Sequence, residues 1–157
     1  MTDDDRAPEG IDTAAPVVSR GEITVDAPLA AVWTLQTDVE AWPVWQSAVS
    51  ESRRLDPGPL RPGSRFRWTT EGLAVTSTVH VVEEHRRLLW GGPAHGIEGL
   101  HLWTFAEVEG GVVVRTEESW SGAPVEADVV RAQSLLDASL AQWLSALAAA
   151  AEHAAGR

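Results

Sequence analysis

The chain has no cysteine, which removes disulfides, thiolate nucleophiles, iron–sulfur clusters and cysteine-based zinc sites together. Tyrosine is absent too, against eight tryptophans. Basic residues are scarce: twelve against twenty-three acidic ones leave a formal net charge of -11. Phosphate-backbone recognition needs clustered basic residues, and so does a polybasic membrane anchor, so no nucleic-acid partner is expected. No apolar run approaches the ~18 residues of a membrane-spanning helix. The acidic opening, MTDDDRAPEGIDTAAP, lacks the basic-then-apolar layout of a secretory signal. These absences predict a cytoplasmic protein without membrane insertion; a monomer or homodimer is expected.

What is there is ordinary globular material, with 44% hydrophobic and 22% charged residues in 157, enough for about one domain. Residues 1–16 hold almost nothing large and apolar, which predicts a disordered acidic tail followed by a single domain over 17–155. Residues 20–25 alternate as a strand does. Asp26 then suits a helix N-cap, ahead of Pro28 and an apolar stripe of Leu29, Val32 and Trp33. A second short helix fits Val39 to Ser47, with Pro43 in its first turn. From Glu51 to Ser121, turn signals such as Asp56-Pro57-Gly58 and Gly110-Gly111 separate runs rich in Val, Thr, Trp and Phe. Six antiparallel strands are predicted there, at 51–55, 64–70, 73–83, 87–91, 97–108 and 111–120. The Gly-rich stretch Gly91–Gly96 between two of them suits a mobile pocket entrance. From Pro124 to His153, Val129, Ala132, Leu136, Leu140, Trp143, Leu147 and Ala151 recur in steps of three and four, the stripe of one long amphipathic helix. Arg131, Gln133, Asp137 and Gln142 fall outside that stripe, toward water.

This order predicts an α+β fold in which a curved seven-stranded sheet packs on the long helix. Such a shape leaves room for an apolar cavity between them. Strand periodicity chooses what faces it. His101, Trp103 and Phe105 share one face. Glu118 shares a face with Thr116 and Trp120, because Arg115, Glu117 and Ser119 belong in water. A two-residue turn at Glu109-Gly110 puts His101 directly opposite Glu118; a turn at Gly110-Gly111 pairs Glu118 with Trp103 and His101 with Trp120. Both registers keep the two titratable groups within reach.

Ala41-Trp42-Pro43-Val44-Trp45, Gly99-Leu100-His101-Leu102-Trp103-Thr104-Phe105 and Thr116-Glu117-Glu118-Ser119-Trp120-Ser121-Gly122, in this order of elements, resemble the START-like superfamily. The resemblance is to the polyketide cyclase/dehydrase-type SRPBCC proteins, over roughly residues 18–152, and it implies the helix-grip fold. It also implies binding of a hydrophobic, aromatic or polyketide-like small molecule, with cyclisation or dehydration as the implied chemistry and a lipid or stress-response carrier as the alternative. His101 and Glu118 are the candidate acid–base pair, with a structural hydrogen bond as the competing reading. The candidate lining is Trp33 and Trp45 from the helices, then Phe66, Trp68, Ser77, Val79 and Trp90, then Trp103, Phe105, Thr116 and Trp120, and finally Leu136, Leu140 and Trp143. No cofactor is expected, since no phosphate loop or dinucleotide fingerprint occurs. No metal is expected either, since His80, His85 and His95 lack ligand spacing.

Overall fold

A computed structural model describes residues 7–156. Seven strands form one antiparallel sheet: β1 (Val17–Val25), β2 (Val49–Arg54), β3 (Arg65–Thr70), β4 (Leu73–Glu83), β5 (Arg87–Ala94), β6 (Ile97–Val108) and β7 (Gly111–Ser121). Their order across the sheet is β1-β7-β6-β5-β4-β3-β2. The first two strands in sequence are therefore the two edges, and the chain between them has to cross a face of the sheet. That crossing is α1 (Leu29–Thr37), a 3-10 turn (Val39–Ala41) and the four-residue α2 (Trp42–Trp45). A short α3 (Ala123–Glu126) and the long α4 (Val129–Ala155) complete the α+β fold.

Two helix starts differ from expectation. The long helix does not run from Pro124, because Asp128 accepts a hydrogen bond from the Arg131 amide at 3.1 Å and caps a fresh start. Val129 is consequently exposed rather than part of the stripe. Asp26 does not cap α1; Pro28 takes that position, and the Asp26 amide donates to the Glu152 carboxylate at 2.9 Å. At 27 residues, α4 is ~40 Å long and buries Ala132, Leu136, Leu140, Trp143, Leu147 and Ala151. It packs chiefly on β1 and α1. A side chain at Gly21 would come within 2.9 Å of Leu144 Cδ1, so that glycine sets how closely helix and strand approach.

The Gly91–Gly96 stretch is not a loop. Gly91 to Ala94 belong to β5, and His95 (φ 53°) and Gly96 (φ 84°) make a two-residue turn to Ile97. Both turn residues are left-handed, as a type I′ hairpin requires, and the ring Nε2 of His95 lies 2.9 Å from the Ala74 carbonyl.

The expected tail also behaves differently over its described part. Residues 1–6 lie outside the described residues. Farther on, the Asp12 amide donates to Ser119 Oγ at 3.0 Å and Arg87 Nη2 donates to the Glu9 carbonyl. A line from Ser119 to Arg87 passes over Leu102 on the outer face of the sheet. Ser119, expected in water, is only 2% exposed, because this segment crosses it.

Candidate functional site

The β6–β7 turn falls at Glu109-Gly110, with Val108 opposite Gly111, and so His101 is paired directly with Glu118. His101 Nδ1 lies 3.0 Å from Glu118 Oε1, with side-chain exposures of 6% and 15%. On the other side of the ring, Nε2 lies 2.7 Å from Thr116 Oγ1, whose hydroxyl donates to the Leu102 carbonyl at 3.1 Å. The remaining oxygen, Glu118 Oε2, accepts from Trp120 Nε1 at 2.7 Å. Four side chains from two adjacent strands thus form one network in which every polar atom has a partner.

The network sits between two apolar clusters. One is aliphatic: Val17, Val125, Ala132, Leu136 and Leu140, with Ile97 and Trp120 against it. The other is aromatic. Trp143, from α4, meets Trp42 (5.1 Å between ring centroids), Trp103 (5.8 Å), Trp45 (6.0 Å) and Trp68 (6.4 Å). Trp42 also meets Phe66 and Trp90, each at 5.4 Å. His101 joins this cluster through Trp90 (4.9 Å) and Trp103 (5.0 Å). Val79 belongs to the same core opposite Trp90, and buried Ser77 accepts from Trp68 Nε1 at 3.0 Å. Trp33 stands apart, edge-on to Phe105 at 5.3 Å.

The expected open chamber is therefore occupied by the protein's own rings. Two open clefts lie elsewhere. One of about 340 Å³ runs between β1 and α4, lined by Ser19, Ile23, Asp137, Leu140 and Leu144. Another of about 680 Å³ lies beside Pro43, Glu51, Arg53, Arg67 and Thr69. In the first, the Ser19 hydroxyl (2.5 Å) and the Gln133 amide (2.9 Å) donate to Asp137 and hold its carboxyl below the usual aspartate range.

Around the aromatic cluster, polar atoms are left over. Gln36 is fully buried on α1, and neither end of its amide has a partner among the described residues. The indole N–H groups of Trp45 and Trp103 and the hydroxyl of Ser52 are in the same condition. Gln142, expected in water, reaches in from α4 and donates to Gln46 Oε1 at 2.6 Å, leaving Gln46 Nε2 and Gln142 Oε1 unpaired. Trp42, Gln36, Gln46 and Gln142 were not among the candidate residues. A signal existed for Gln36, which falls three and four residues after Trp33 and Val32 on the apolar stripe of α1. Among the described residues, no three His, Cys, Asp or Glu side chains converge as metal ligands, and no helix is long and apolar enough to cross a membrane.

Residues 16–152 match the family model described as polyketide cyclase / dehydrase and lipid transport. A search of curated sequences finds no match. Among solved structures, a hypothetical protein from Helicobacter pylori superposes with a TM-score of 0.79 at 21% identity, covering 96% of this chain and 99% of that one. A START superfamily protein from Mycobacterium smegmatis gives 0.72 at 13% identity over 87% and 97%. The di-domain ARO/CYC protein StfQ from the steffimycin biosynthetic pathway gives 0.72 at 19% identity, covering 90% of this chain and 52% of its own. These likenesses establish the helix-grip fold.

Proposed function

The chain belongs to the polyketide cyclase / dehydrase and lipid transport family, and from that premise we propose that it binds a flat, apolar, aromatic or polyketide-like small molecule between the sheet and α4. The observation that carries this reading is the seven-ring cluster around Trp143, closed on one side by a helix of only four residues. Indole faces suit flat ligands through offset and edge-on stacking. Because Trp42 now fills the middle of the cluster, a guest takes its place only when α2 swings outward. Val44 at the tip of α2 is 87% exposed, and α2 makes few contacts with α4. Titration with 2-naphthol tests this: saturable quenching of tryptophan emission is expected, and a weak, unsaturable response would count against it.

A second reading is acid–base catalysis of cyclisation or dehydration, favoured by the 3.0 Å contact of His101 with Glu118 at the edge of the aromatic cluster. Glu118 would take the proton from a carbon beside a carbonyl, the resulting enolate would form a carbon–carbon bond to a second carbonyl carbon, and the alkoxide so made would take that proton back by way of the His101 ring. Glu118→Gln separates this from carriage. Loss of conversion of a linear poly-β-ketone mimic, with 2-naphthol affinity retained, supports catalysis; no conversion by the unaltered protein supports the carrier. The carrier has its own support, since each polar atom of the network is already bonded within the protein.

A further inference from the structure

We propose that Gln36, together with the indole N–H of Trp103, selects the polar edge of the ligand; this rests on the ligand-binding reading above. Gln36 occupies a core position of α1 beside Val32 and Trp33. Its backbone carbonyl is used, accepting from Trp42 Nε1 at 3.1 Å, while its side-chain amide has no partner among the described residues. Trp103 is fully buried, stacked on His101 and edge-on to Trp143, with its N–H equally unpartnered. Buried amides and indole N–H groups without partners are costly. A leucine or methionine would fill the α1 stripe without that cost, so stability alone does not account for glutamine here.

The chemistry of the three atoms describes what would satisfy them. The amide offers two N–H donors and one acceptor oxygen, and Trp103 offers a donor only. Their complement is a neutral group carrying both an acceptor and a donor, such as a carboxamide, a lactam or a hydroxy-ketone, on a flat apolar body. A plain hydrocarbon would leave all three atoms as they are. A site built to hydrogen-bond its guest discriminates against the analogue lacking the polar group, because its own polar atoms then stay unpaired.

Two readouts test the proposal in Gln36→Leu, Gln36→Met and Trp103→Phe: the melting temperature without ligand, and the quenching affinities for naphthalene and for 2-naphthamide. Gln36→Leu is expected to melt about 2–4 °C higher than the unaltered protein. It should bind 2-naphthamide about five- to tenfold more weakly, with naphthalene affinity unchanged. Gln36→Met should follow it, and Trp103→Phe should lose 2-naphthamide affinity while keeping naphthalene. Lower melting or failure to fold of both Gln36 variants would make the amide a structural group and overturn the proposal. Unchanged affinities for both probes would overturn it while leaving the ligand-binding reading intact. If the unaltered protein binds neither probe saturably, both fall together.

Discussion

The two ends of the grip handle polarity in opposite ways. Where β6 meets β7, His101, Thr116, Glu118 and Trp120 satisfy one another and the Leu102 carbonyl. Around the aromatic cluster and the α1–α2 crossing, seven buried side-chain atoms have no partner among the described residues. A buried network that is complete rigidifies a fold, whereas an incomplete one is tolerated only where something other than stability maintains it. The end that looks most like chemistry in the sequence is thus the self-sufficient one, and the end that reads as plain core is the one with valences to spare.

Five measurements break or sharpen that contrast. The largest effect is expected from Trp42→Ala, which removes the ring touching Phe66, Trp68, Trp90 and Trp143. Denaturant unfolding should show a loss of about 3–5 kcal/mol; a loss under half of that would mean the α2 end is loosely packed. Next comes Glu118→Leu, which strands His101 Nδ1 and Trp120 Nε1 and should cost about 1–3 kcal/mol. A neutral result would show that the dyad end is not a network at all.

Thr116→Val should cost about 1 kcal/mol, because Nε2 of His101 loses its hydrogen-bond partner. Its sign is the reverse of that expected for Gln36→Leu, though both replace a buried polar side chain by an apolar one of similar size. Equal signs for the two would dissolve the contrast.

The smallest effects are those of pH. Burial pushes the His80 pKa below the usual histidine value, so the folded state favours the neutral ring. The associated stability is present above about pH 6.5 and is lost as the pH falls through the lowered value; His80→Gln should flatten that slope in melts at stepped pH. Asp137 has its pKa lowered by the Ser19 and Gln133 hydrogen bonds. Its contribution is present above about pH 4 and fades on further acidification, so Asp137→Asn should flatten only the acid limb. Exposure to solvent makes this the smaller of the two.

Much of the architecture was legible in the sequence because it depends on period and punctuation. Period-two alternation puts Arg115 and Glu117 outside and Glu118 inside, and that alone brings Glu118 to the face of His101. The remaining choice, between turns at Glu109-Gly110 and Gly110-Gly111, is a matter of one residue, which alternation does not resolve. Other features depend on where surfaces end. Whether Gly91 to Ala94 form a loop or a strand depends on pairing with Glu98, Gly99 and Leu100, a tertiary fact. The burial of Ser119 depends on a segment more than a hundred residues earlier. The expected open chamber is filled for a volumetric reason: six indoles and Phe66 are large enough to meet one another across the space. Gln36 was visible on the apolar stripe of α1, but a glutamine there signals only a buried amide, not whether a neighbour satisfies it.

The placement of β1 beside β7 has a consequence for how the molecule is made. Val17 pairs with Trp120 and Val25 with Val112, so the first strand to leave the ribosome has no neighbour until the last strand follows it. At ~5–20 residues per second, β1 and the α1–α2 crossing are left on the order of 5–20 s with their apolar faces uncovered, while the β2–β7 meander assembles locally. A break in synthesis before β7 therefore leaves β2 to β6 paired and β1 with no strand beside it, rather than a smaller version of the grip.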